Sequence, residues 1–113
     1  MDVEAAIVFG SWSRSGGGAW SDVDLLIVSD HVKNINPLER FKTATELKPP
    51  KTDIFLYTYD ELKSMLNKNN PLAISALAEG KPIKTSKRIQ QLINQAKQQY
   101  VRKGRMWISK NTL

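Results

Sequence analysis

Two aspartates spaced two apart, Asp22 and Asp24, open the apolar run Leu25-Leu26-Ile27-Val28, and a Gly10-Ser11 pair closes another, Ile7-Val8-Phe9. Each run reads as a strand, in which successive side chains point to opposite faces. Asp22 and Asp24 are therefore expected on one face, with Val23, Leu25 and Ile27 pointing the other way into a core. Two carboxylates about 4 Å apart repel by roughly 4 kcal/mol at an effective dielectric near 20. A hard, oxygen-liganded cation between them relieves the repulsion; Mg²⁺ is the natural candidate and Mn²⁺ the alternative. Glycine at a strand end lets the backbone approach a ligand closely, and the N–H groups of such a turn can cradle an anion. Ser11 adds a hydroxyl donor and Arg14 a charged fork suited to phosphate. Phosphate on one side and metal on the other is the layout that a Mg²⁺-nucleotide needs.

A Gly-Ser pair, ten residues, and then Asp-x-Asp before Leu-Leu-Ile-Val resembles the signature of the polymerase-β-like nucleotidyltransferases, and the short length resembles their minimal members. In that family a third carboxylate comes from a later strand, a place matched here by Asp53 ahead of Ile54-Phe55-Leu56-Tyr57. The resemblance implies an α/β fold of the mixed α+β kind, with a small mixed sheet of three to four strands packed with helices. It implies a two-metal Mg²⁺ site on Asp22, Asp24 and Asp53, with Asp53 assisting as ligand or base. Gly10 and Ser11 would hold the β- and γ-phosphates, with Arg14 nearby; many members have Arg-Gly where this chain has Arg14-Ser15. The reaction implied is transfer of a nucleoside monophosphate, AMP in the first instance, from NTP (ATP) to an acceptor. Minimal members often pair, as antitoxins, with small helical HEPN proteins that they adenylylate. The expected partner is then a HEPN-type protein or a second copy of the chain. The alternative is an interaction module in which catalysis is weak or lost. Members usually carry a helix before the first strand, and none precedes Val3 here, so another chain is expected to cover that part of the sheet.

At 113 residues the chain is expected to be one domain, 1–113, with a basic C-terminal helix and tail from about 85. Hydrophobic content of 41% and charged content of 25% are ordinary globular values. No apolar stretch is long enough to span a membrane and no charged-then-apolar leader is present, so a cytoplasmic protein is expected. Without cysteine there is neither a disulfide framework nor a thiolate metal site. The net charge of +6 is unevenly spread. Residues 1–80 hold every acid and net −3, whereas 81–113 carry nine Lys or Arg and no acid. That asymmetry suits an acidic partner or, less well without a recognition motif, nucleic acid; a solvated helix face explains it equally. No Gly-Lys-Ser/Thr follows the glycines and no Gly-x-Gly-x-x-Gly occurs, which excludes Walker and dinucleotide sites. Trp12 and Trp20, flanking the Gly16-Gly17-Gly18 loop, are packing groups or base-stacking platforms. His31, the only histidine, reads as solvated.

The remaining elements follow from local signals. Asn36-Pro37 with Glu39 starts a helix that Pro49-Pro50 stops. Thr52 to Tyr57 is a third strand, parallel to the second through a right-handed crossover, while the first two strands run antiparallel. Thr58 and Glu61 form a capping box ahead of Leu62, Met65 and Leu66. A further helix runs from Leu72 to Glu79 and is closed by Gly80. Pro82-Ile83 reads as an edge strand. The last helix is expected from about Ser86 to Lys103, with Ile89, Leu92, Ile93, Ala96 and Tyr100 as its buried stripe and Gly104 as its end. Met106-Trp107-Ile108 packs back on the domain or meets a partner.

Overall fold

In the computed structural model, which describes residues 2–10, 23–36, 38–40, 42, 46, 52–103 and 106–110, four strands make one mixed sheet in the order β3-β2-β1-β4. These are β1 (Ala5–Phe9), β2 (Val23–Val28), β3 (Thr52–Tyr57) and β4 (Lys81–Lys84). β2 and β4 run antiparallel to β1, and β3 runs parallel to β2. β4 is fully exposed, and its Lys-Pro-Ile-Lys sequence suits an edge, where a missing N–H and flanking charges discourage further pairing.

Each helix starts where a side chain can satisfy its first amides. Asn36 Oδ1 accepts the Glu39 N–H at 2.9 Å, opening a segment helical at 38–40, 42 and 46. The capping box of Thr58 and Glu61 opens α1 (Tyr59–Asn67). Asn70, followed by Pro71 at the first helical position, opens α2 (Pro71–Glu79). Ser86 opens α3 (Lys87–Gln99) by accepting the Ile89 N–H.

All three helices lay their apolar stripes on one side of the sheet. Leu62 and Leu66, Ala73, Ile74 and Leu77, and Ile89, Leu92, Ile93 and Ala96 pack with Ile7, Phe9, Leu26 and Val28 in a single core. The core face of β2 is therefore the one carrying Asp24, Leu26 and Val28. Val23, Leu25 and Ile27, expected inside, are only half-buried on the other side. Beyond Asp24 this strand is apolar on both faces, so alternation cannot choose between them; the covering helices do.

The last helix also differs from expectation. It ends at Gln99, and β5 (Tyr100–Lys103) pairs antiparallel with β6 (Met106–Ser109). Tyr100 is buried as expected, but in extended backbone, its hydroxyl held by Asn69 and the Leu66 carbonyl. Trp107 packs back on the domain: Nε1 donates to Ser75 Oγ at 2.8 Å, and the Arg102 guanidinium stacks on its ring while pairing with Glu79.

Two further arginines tie elements together. Arg40, 5% exposed, meets Glu61 Oε1 at 2.6 Å and the Ile35 carbonyl at 2.7 Å. Burial pushes the Glu61 carboxyl up, but the Thr58 backbone amide and Arg40 outweigh it and leave it below the usual range. Arg88 grips Glu4 through two 2.6 Å bonds and Asp30 at 2.9 Å, lying over the Tyr59 ring. Its guanidinium holds both carboxyls below their ordinary values.

Candidate active site

The end of β1 and the beginnings of β2 and β3 lie together, because β1 runs opposite to the other two. In register, Phe9 faces Asp24 across β1 and β2, and Asp24 faces Asp53 across β2 and β3. Directly opposed residues share a face, and neighbouring strands lie about 4.8 Å apart. Asp24 and Asp53 thus stand side by side on the helix-covered face, Asp24 half-buried and Asp53 exposed.

Gly10 closes the arrangement. Its backbone has φ +88°, a conformation that suits glycine, and a Cβ there would overlap Asp24 Oδ2 and come within 3.0 Å of its Cγ. The Asp24 carboxylate therefore occupies the space that any other residue at position 10 would fill. Beside it, the Phe9 and Phe55 rings meet at 5.9 Å between centroids. This aromatic pair was not singled out from sequence, although Phe55 lies two residues beyond Asp53 and so on its face.

The expected site residues Gly10, Asp24 and Asp53 come together in this way. Asp22, Ser11 and Arg14 lie outside the described residues, as do Trp12 and Trp20. Among the described residues no group of three or more acids or histidines gathers as a metal site. His31 lies at the far end of β2, exposed and 3.4 Å from Asp2. A polar cavity of about 300 Å³ at that end is lined by Asp30, Lys33, Arg40, Thr58, Asp60 and Glu61. Its Arg40–Glu61 pair serves the capping box and is remote from the paired aspartates. Among the described residues no helix is long and apolar enough to cross a membrane.

Solved structures to which the chain is similar include a Sulfolobus solfataricus protein provisionally classed as a nucleotidyltransferase. It is 24% identical with a TM-score of 0.46, over 56% of this chain and 57% of that one, so the match spans little more than half of its length. A toxin-antitoxin complex with AMP-PNP is 19% identical with a TM-score of 0.49, over 85% and 73% of the two chains. A mutant of the MntA-HpeT toxin-antitoxin pair is 19% identical with a TM-score of 0.47, over 83% and 70%. No curated protein matches the chain. The family model of the nucleotidyltransferase domain matches residues 2–97, including all of the sheet and nearly all of α3, and the chain belongs to that family.

Proposed function

We propose that this chain transfers AMP from ATP·Mg²⁺ to a hydroxyl of a second polypeptide, of the helical HEPN kind. The observation that carries the reading is the register that sets Asp24 beside Asp53 with Gly10 against the Asp24 carboxylate. Two carboxylates on one face offer hard oxygen donors, which fit Mg²⁺ or Mn²⁺ rather than a soft metal. Asp24 and Asp53 would hold the metal together with Asp22. When bound, a pair of such ions stabilises the attacking and leaving oxygens of an in-line displacement.

The chain's own residues do the rest. Gly10 and Ser11 would hold the β- and γ-phosphates, and Arg14 would offset their charge. Asp53, the more exposed carboxylate, faces the acceptor and assists as ligand or base. The acceptor oxygen then bonds to the α-phosphorus as the bond to the β-phosphate bridging oxygen breaks; pyrophosphate leaves, and the hydroxyl proton passes to Asp53 or to water.

The test is incubation with ATP, Mg²⁺ and the protein encoded next to this one, read by intact mass. The neighbour should gain the mass of one or more adenylates, and Asp24→Asn should reduce that gain by more than about 10²-fold. Equal protection of a toxic partner by wild type and Asp24→Asn, with no added mass, would identify a binding module instead.

A further inference from the structure

We propose that Phe9 and Phe55 are positioning residues that hold the Asp24 carboxylate in the slot left by Gly10 and so set its affinity for a divalent cation. The inference rests on the metal-site reading above and extends it to two groups that carry no charge.

The geometry is specific. Phe9 lies on β1 opposite Asp24, and Phe55 lies on β3 opposite Leu26, so their strands are separated by β2. Even so, their rings approach to 5.9 Å at an interplanar angle of 46°, on the face of β2 that carries Asp24 and Leu26. By register, Asp24 has Phe9 directly beside it on β1 and Phe55 two positions along on β3, all on one face of the sheet. The Gly10 backbone bounds the Asp24 side chain on the β1 side and Asp53 on the β3 side. Phe9 is 4% exposed, and Phe55 packs against the same core, so neither ring can swing away without opening a void.

A ring face or edge offers a carboxylate almost no hydration. With water thinned on one side, the attraction between Asp24 and a cation is less screened than at an open strand end. The same wall restricts Asp24 χ1, so less side-chain freedom is lost when the ion binds. The apolar shell around a metal site controls solvent access and local dielectric, and outer-shell groups that orient a ligand are worth about 10–100-fold in metal affinity.

The experiment measures Mn²⁺ binding to the purified chain by electron paramagnetic resonance, per folded molecule and well below each variant's melting temperature. Phe55→Leu is expected to weaken Mn²⁺ binding about tenfold. Phe55→Met, a ringless side chain of similar volume, should do the same with the core kept filled. Phe55→Tyr, which keeps the ring, should retain wild-type affinity. Wild-type affinity in both ringless variants would overturn the proposal, as would a loss that Phe55→Tyr does not rescue. Asp24→Asn separates the two layers of the argument. If it leaves Mn²⁺ binding intact, the metal-site reading and the proposal fall together. If it abolishes binding while the ringless variants bind normally, only the role of the rings is refuted.

Discussion

Replacing Gly10 by alanine asks the most of the site geometry, because one methyl group meets two separate obstacles. The first is the backbone. At φ +88° a Cβ-bearing residue is strained by about 1–2 kcal/mol. The second is Asp24, whose Oδ2 stands where the methyl must go, with Cγ at 3.0 Å and Cβ at 3.4 Å. The carboxylate is the mobile end of a side chain, so it can rotate away for about 0.5–1.5 kcal/mol of off-rotamer cost. The backbone term thus dominates stability, and the displaced carboxylate dominates function. Together they predict a loss of about 2–3 kcal/mol, or about 8–12 °C in melting temperature for a domain of this size. The assay is a double-mutant cycle by thermal melting of wild type, Gly10→Ala, Asp24→Ala and the double variant. With Asp24 truncated, only the backbone strain remains, so Gly10→Ala should cost about 1 kcal/mol less than in the native background. Strictly additive effects would show that the two residues do not meet, and the site geometry would then be wrong. Mn²⁺ affinity should fall with Gly10→Ala beyond anything the lost stability explains.

Three other perturbations test the frame around the site. Because Arg88 lowers the folded-state pKa of both Glu4 and Asp30, the stability they confer is present above their ordinary values of 4.5 and 3.8 and is lost as pH falls through the lower folded values. Between about pH 5 and about pH 2 the wild-type melting temperature should therefore fall more steeply than that of Arg88→Met, and parallel curves would refute the linkage. Arg40→Met keeps the buried stem but strips Glu61 of its 2.6 Å partner, which should cost about 1–3 kcal/mol in denaturant melts; an unchanged midpoint would mean the pair contributes nothing. A Cβ at Gly80 would overlap the Ala76 carbonyl oxygen and Ile7 Cγ2. Since φ there is an ordinary −68°, Gly80→Ala should destabilise through crowding alone, by about 1–3 kcal/mol, and full native stability would contradict the packing.

Much of this was legible in the sequence where the signal was local. Thr58 and Glu61 cap α1 as their spacing requires, and Asn70-Pro71 and Gly80 bracket α2. The antiparallel β1–β2 pair, the parallel β2–β3 pair and the edge strand at Pro82 also follow from turn residues and crossover rules. What failed was whatever depended on a neighbour. The buried face of β2 is chosen by helices more than thirty residues away. The end of α3 was misread because Tyr100 continues the helical stripe and is buried in either conformation. The contrary signal was the β-forming Tyr100-Val101 and Met106-Trp107-Ile108 segments, with Gly104-Arg105 between them. Asp24 and Asp53 could be nominated from sequence, but their opposition is a matter of strand register. The partners of Arg40 and Arg88 could not be read at all, since charge alone does not name a contact across the fold.

The grip of Arg88 bears on how this domain assembles. Glu4 lies 84 residues away and Asp30 lies 58 away, so the clasp joins the opening of the chain to a helix near its far end. Such distant pairs bring a large loop-closure entropy and are poor places for folding to begin. The clasp should therefore snap shut after β1, β2 and β3 have paired, adding little to the speed of folding and acting mainly as a brake on unfolding. Its loss would leave a chain that folds on schedule and comes apart too soon.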